Sequence, residues 1–120
     1  MPWSSKRARL TTRHVPPDRP PLVVKAGDHV ETGELSEEWS AFRWCVSDEG
    51  LGGWVPDRYL APGSEREATV LHDYDTTELA AEAGEIVTVI EADEESGWLW
   101  CGGSSGRRGW LPISAVEPFA

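Results

Sequence analysis

The sequence predicts an all-β chain made of two five-stranded barrels of one kind in tandem. Three observations carry that expectation. First, a pattern of rare residues is written twice at the same spacing. It reads Phe42-Arg43-Trp44-Cys45 with Gly53-Trp54-Val55-Pro56, then Trp98-Leu99-Trp100-Cys101 with Gly109-Trp110-Leu111-Pro112. An Ala-Gly-acid step precedes each copy, Ala26-Gly27-Asp28 and Ala83-Gly84-Glu85, and such self-similarity marks an internal repeat. Second, short runs rich in Val, Ile, Thr and Trp are punctuated by Gly, Pro and acids, while helical periodicity is nearly absent. Third, 120 residues hold one ordinary domain or two very small ones, and the repeat selects the second option.

The elements follow in order. Residues 1–6 read as a flexible N-terminus, 7–61 as barrel one, 62–66 as a short linker and 67–120 as barrel two. In barrel one, Ala8-Arg9-Leu10 opens as the first strand, and Arg13 to Pro21 forms an irregular loop in which Pro16-Pro17-Asp18-Arg19-Pro20-Pro21 either stiffens the loop or, as Pro17-x-x-Pro20 with Arg13 and Arg19 nearby, serves as a ligand for the acidic groove of copy two or of another chain. His29 to Thr32, Phe42 to Val46 and Trp54-Val55 are the next strands, closed by a turn at Asp57 to Leu60. In barrel two, Ala68 to Leu71 is the first strand, followed by an acidic loop from Asp73 to Glu82. Glu85 to Ile90 alternates as a strand, Asp93 to Gly97 turns, and Gly97 supplies the permissive backbone. Trp98 to Gly102 and Gly109 to Leu111 pair through a Gly-Ser hairpin. Pro112, lacking an N–H, ends the pairing, and Ser114 to Val116 turns into a last strand. Closing five short strands removes exposed edges. The breaker-rich 62–66 segment reaches at most about 20 Å, so the two barrels are expected to be neighbours.

Composition narrows the function. The net charge is −10, but Lys6, Arg7, Arg9, Arg13, Arg19 and Lys25 crowd the start against Asp18 alone. An acidic body repels phosphate backbones and anionic bilayers, so neither nucleic acid nor membrane is an expected partner. The two Cys hold equivalent positions in the copies and read as small buried core residues, too few for a disulfide framework. No apolar run approaches a span and no apolar signal core follows the basic start, so a cytoplasmic location is expected. The seven Trp supply large apolar area for two small cores or for exposed grooves.

The ordered motifs resemble the SH3 domain, specifically small bacterial SH3-like proteins of one or two barrels. The residues that carry the resemblance are His72-Asp73-Tyr74, Glu78-Leu79, Ala83-Gly84-Glu85, Trp98 and Gly109-Trp110-Leu111-Pro112 in copy two. In copy one they are Leu22, Lys25-Ala26-Gly27-Asp28, Phe42, Gly53-Trp54-Val55-Pro56 and Tyr59-Leu60. The resemblance implies a groove for an extended, proline-rich segment with acids beside it that select a basic residue. Carried over, copy two builds its groove from Tyr74, Trp98, Trp110 and Pro112, with Asp75, Glu78, Glu94 and Glu95 as acidic walls. Copy one contributes Trp54, Pro56 and Tyr59, with Phe42 in the specificity-Trp position, Trp39 beside it and His14 where copy two has Tyr74. His72 stands where the family often has an aromatic and Ala115 where it usually has a Tyr, and neither groove is complete by the family's pattern.

The expected function is therefore a non-catalytic module that binds a protein or peptide partner through aromatic grooves. The alternative is a structural or assembly subunit whose aromatic faces pack between barrels or chains. A monomer and a homodimer both fit. Catalysis is not expected, because His14, His29 and His72 lie on separate segments with no nucleophile at motif spacing. No metal-ligand spacing and no phosphate-cradling loop is present, so neither metal nor cofactor is expected.

Overall fold

The computed structural model describes Trp3 and residues 6–119. Of the N-terminus expected to be flexible, Met1, Pro2, Ser4 and Ser5 lie outside the described residues, whereas Trp3 is buried. Among the described residues twelve strands run in order: β1 (Arg7–Leu10), β2 (Val23–Val24), β3 (His29–Leu35), β4 (Phe42–Val46), β5 (Gly52–Pro56), β6 (Leu60–Pro62), β7 (Glu67–Val70), β8 (Tyr74–Asp75), β9 (Ile86–Asp93), β10 (Trp98–Gly102), β11 (Arg108–Pro112) and β12 (Val116–Pro118). Single 3-10 turns lie at Asp57–Tyr59 and Ile113–Ala115, and no α-helix occurs among the described residues. The chain is all-β, as the sequence predicts.

The strands form two five-stranded antiparallel sheets, ordered β5-β4-β3-β7-β6 and β11-β10-β9-β1-β12, together with the small β2-β8 pair. The chain divides into two units, and the division is not the one read from the repeats. A central unit runs from Arg19 to Thr76, and a terminal unit joins the described residues up to Asp18 to those from Thr77 onward. The contiguous partition into 7–61 and 67–120 is thereby corrected. β1 leaves its own repeat and sits between β9 and β12, while β7 sits between β3 and β6.

The two strands are interchangeable in shape, which is why repeat spacing cannot assign them. Ala8 pairs with Pro118 and Val87, just as Ala68 pairs with Pro62 and Val30. Each strand turns an Ala and an aliphatic residue inward, Ala8 with Leu10 and Ala68 with Val70, all buried. Side-chain chemistry and chain length select the partners. Arg9 hydrogen-bonds Glu117 from the directly opposed position, and the Arg7 and Arg9 guanidiniums lie 5.1 and 5.9 Å from the Phe119 ring. The segment expected to be a linker is instead a tight turn within one sheet. Gly63 N–H donates to Glu67 O and Glu67 N–H donates to Ser64 O, closing the β6-β7 hairpin.

Each unit has its own core. In the terminal unit Trp3, Ala8 and Leu10 join Leu79, Val87, Leu99, Cys101, Leu111 and Val116. In the central unit Leu22, Val24, Phe42, Cys45, Val55 and Val70 are buried. Trp44 and Trp54, directly opposed on β4 and β5, pack edge to face at 5.1 Å, and Trp100 and Trp110 repeat the arrangement at 5.2 Å. Such cross-strand aromatic pairs stabilise the sheet faces.

Both Cys are free and fully enclosed. Burial pushes the Cys45 thiol up to about 11, against the lowering effect of Arg43, and the Cys101 thiol up to about 12. The unfolded chain ionises its thiols from about pH 9 while the folded chain keeps them protonated, so the unfolded state then binds fewer protons. Their contribution is whole below pH 9 and falls as pH rises toward 11–12, by about 1.4 kcal/mol per pH unit for each thiol in that window. Urea titrations at pH 8 and 10 will measure this loss. Alkylation of the native protein is expected to be slow at pH 8 and to quicken only on unfolding.

The Gly of each Gly-Trp-x-Pro motif has a packing cause. A Cβ on Gly109 would lie 2.6 Å from both Glu78 C and Leu79 N, and one on Gly53 would lie 2.9 Å from Leu22 Cβ. Backbone cannot step aside as a side-chain tip can. Gly109→Ala is therefore expected to cost about 1–3 kcal/mol, read as a lower urea midpoint with amide shifts centred on Thr77 to Leu79.

Candidate functional site

The returning loop segment is what shapes an aromatic cluster in each unit. In the central unit, Val23 pairs with Asp75 and Val24 with Tyr74, while Leu22 O accepts from Thr76 N–H. Asp73 is fixed by the Ala26 N–H at 2.8 Å. Leu71 N–H donates to Tyr59 O, which ties the loop start to the 3-10 turn. Three rings then meet. Tyr59 stacks on His72 at 4.7 Å with planes 20° apart, and Tyr59 meets Tyr74 edge to face at 5.7 Å. The Arg58 guanidinium lies 4.7 Å from the Tyr59 ring, a further contact on the same side chain.

In the same unit, Phe42 is paired with Pro56 and both are buried. Trp39 is half-buried beside them. Its N–H is held by Ser36 Oγ and its carbonyl accepts from Phe42 N–H. Trp54 is half-buried on the sheet face against Trp44. Asp57 is engaged by Arg43 at 2.7 Å, which pins β4 to the 3-10 turn.

In the terminal unit the arm and the second loop meet instead. His14 and Ala81 exchange backbone hydrogen bonds of 2.9 and 3.2 Å, and Trp110 N–H donates to Thr77 O. That register brings His14 Nε2 to 2.8 Å from Glu78 Oε1 and sets the His14 ring edge-on to Trp98 at 5.9 Å. Trp98 is half-buried and pairs with Pro112, while Trp110 and Pro112 are buried. Glu94 and Glu95 are exposed in the β9-β10 turn.

The sequence-predicted site residues are thus regrouped. Tyr74 and Asp75, expected beside Trp98, Trp110, Pro112 and Glu78, belong to the central unit with Trp39, Phe42, Trp54, Pro56 and Tyr59. His14, expected with Tyr59, belongs to the terminal unit with Trp98, Trp110, Pro112, Glu78, Glu94 and Glu95. The cause is the strand exchange, because Tyr74 follows β7 and His14 follows β1. His72 and Arg58 enter the cluster without having been singled out as site residues. The sequence signal for His72 was its place immediately before Asp73-Tyr74.

Glu78, Trp110 and Pro112 occupy one loop-and-strand constellation in the second half of the chain. Residues 70–119 match the family described as the variant SH3 domain. SH3 domains are in general protein-interaction modules. The match begins at the last residue of β7 and runs through β12, so it crosses from the central into the terminal unit at Thr76–Thr77. The chain is also 30% identical over 106 residues to the guanine nucleotide exchange factor DBS of Rattus norvegicus. That alignment takes in 84% of this chain and spans 9% of the relative's length. No solved structure matches the chain. Among the described residues no group of three or more His, Cys, Asp or Glu could hold a metal ion, and no helix is long and apolar enough to cross a membrane.

Proposed function

We propose that the chain is a non-catalytic interaction module of two SH3-type barrel units that binds an extended, basic, proline-rich segment of a partner. The ligand site of the central unit is the Tyr59–Tyr74–His72 cluster, with Pro56 and Phe42 forming its floor. One observation carries this reading: the exchange unites Tyr59 with Tyr74, two rings that the repeats taken separately leave in different grooves. A polyproline II segment is already extended, so it loses little entropy on docking, and its ridges pack between rings set edge to face.

Asp73 and Asp75 flank the cluster on the incoming loop and supply the negative charge that selects a basic ligand residue. Lys25 stands 4.0 Å from Asp73 with both side chains mostly exposed, an ion pair worth about 0–1 kcal/mol and easily displaced by a ligand. In the terminal unit Glu78 already engages His14, so that site is the weaker of the two. Titrating the isotope-labelled chain with a basic Pro-x-x-Pro peptide tests the proposal. Amide shifts should appear first around Tyr59, His72 and Tyr74. An unchanged spectrum at millimolar peptide would remove the reading.

A further inference from the structure

A cleft of about 480 Å³ opens in the central unit beside Trp44, and none of the Tyr59, His72 and Tyr74 rings lines it. Its walls come from the bulged stretch of β3, from β4 and from the turn before β7. The bulge falls between Thr32 and Leu35, and Gly33 stands there. In the terminal unit Ile90 holds the equivalent place, since Val89 opposes Cys101 as Thr32 opposes Cys45. Ile90 reaches toward β10: a Cβ on Gly102 would lie 3.6 Å from its Cδ1. Gly33 leaves that space open. A Cβ there would meet Trp44 Cδ1 at 3.5 Å, an ordinary contact, and the Gly33 backbone is not left-handed. Neither packing nor backbone demands glycine here, and its effect is the cleft.

The charges around the cleft are unequal. Glu31 and Glu34 line it, and neither carboxylate has a hydrogen-bond or ion-pair partner among the described residues. Glu31 also lies directly opposite Glu67, a like-charge pair that a bound cation would offset. The Arg43 guanidinium in the wall is committed to Asp57 at 2.7 Å and to Gly33 O at 2.9 Å, which fixes the bulge. Arg66 stands on the rim with φ 60, a left-handed backbone that favours glycine, and its carbonyl accepts from Thr32 N–H. The Trp44 indole already carries one cation, the Arg19 guanidinium 5.2 Å from its ring. Arg19 is exposed and is not a wall of the cleft, which stays open beside it.

We propose that this cleft is a ligand site of its own, holding an arginine or lysine side chain of a partner polypeptide. The apolar stem of that side chain lies along Trp44 and Val46, and its charged head meets Glu31 and Glu34. Arg66 then donates from the rim to a backbone carbonyl of the same segment, which selects a polypeptide over a free amine. The cleft has the volume of an ordinary small-ligand site, ample for one long side chain. A chain of net charge −10 also draws basic segments toward it. The site goes beyond the proline-rich groove and does not rest on it, because it needs a cation and no polyproline II backbone.

Titrating the isotope-labelled chain with a blocked, proline-free triarginine peptide tests the cleft separately from the groove. Saturable shifts should appear at Glu31 to Glu34 and at the Trp44 indole N–H. Gly33→Ile fills the cleft with the residue of the terminal unit and changes no charge. It should weaken binding about five-fold or more, and so should Glu31→Gln combined with Glu34→Gln. Glu37→Gln combined with Glu38→Gln removes the same charge from exposed positions of the same unit and should cost less than about two-fold. Spermidine, a free amine of equal charge, should bind more weakly than the peptide. Amide spectra establish that each variant is folded, and the two glutamine pairs carry the test if Gly33→Ile is not. Equal losses from the two pairs would mean general charge attraction and overturn the inference. Full affinity in a folded Gly33→Ile overturns it as well, and so does spermidine binding as tightly as the peptide.

Discussion

Leu10→Ala is expected to melt residues 77–119 while residues 19–76 stay folded, although Leu10 belongs to the first repeat by sequence. Leu10 is 2% exposed in the core of the terminal unit, between the slot-forming strands β9 and β12. Removing a fully buried Leu costs about 2–5 kcal/mol, the lost transfer energy plus the cavity left behind. A small unit sits low in the usual stability range of about 5–15 kcal/mol, so this is a large share of what holds it. Val70→Ala makes the reciprocal test. Val70 is equally buried but completes the central sheet opposite Leu60, and two lost methyl groups cost about 2 kcal/mol. Urea titrations followed by assigned amide signals separate the two units. The exchanged topology requires Leu10→Ala to lower the midpoint for Leu99 and Leu111, and Val70→Ala to lower it for Val30 and Val55. The opposite assignment would mean that each repeat keeps its own first strand.

The same pair of strands marks the boundary of what the sequence could say. Strand positions were legible because alternation and breakers are local: β4 and β10 run from Phe42 to Val46 and from Trp98 to Gly102, as the motif spacing predicts. The enclosed Cys45 and Cys101 were legible for the same reason, since each is a small residue that follows a Trp on a strand, at the same position of the repeat. The partner of β1 was not legible. Repeat spacing says which residues occupy equivalent positions, but two equivalent strands fit two equivalent slots. What decides between them is cross-strand chemistry, Arg9 against Glu117 and the guanidiniums over Phe119, together with the tight turn at Gly63 to Glu67. The site residues inherit that ambiguity. Their types were readable from the SH3 resemblance, whereas their grouping depended on the strand each one follows. Tyr59 and Tyr74 illustrate it, being assigned to separate incomplete grooves until the exchange is known.

Tyr59→Ala is accordingly expected to weaken binding of a basic Pro-x-x-Pro peptide about 30-fold, the equivalent of about 2 kcal/mol. Tyr59 is half-buried and packs with His72, Tyr74 and Arg58, so truncation removes the shared wall of the cluster while leaving both five-stranded sheets in register. Tyr59→Phe keeps the ring and should retain most of the affinity, because stacking and edge contacts do not need the hydroxyl. Tyr74→Ala is a poorer probe of binding. Tyr74 is 8% exposed, and its loss opens a cavity that destabilises the central unit. Trp98→Ala supplies the contrast. It removes the half-buried ring beside His14 and Glu78, and it should change peptide affinity only a few-fold if the central cluster dominates. Isothermal titration of the three variants decides the ranking: the proposed site requires Tyr59→Ala to lose far more than Trp98→Ala. A reversed order would place the dominant groove in the terminal unit. It would also imply that the His14–Glu78 contact opens on binding, since Glu78 could then reach a basic ligand residue only after releasing the imidazole.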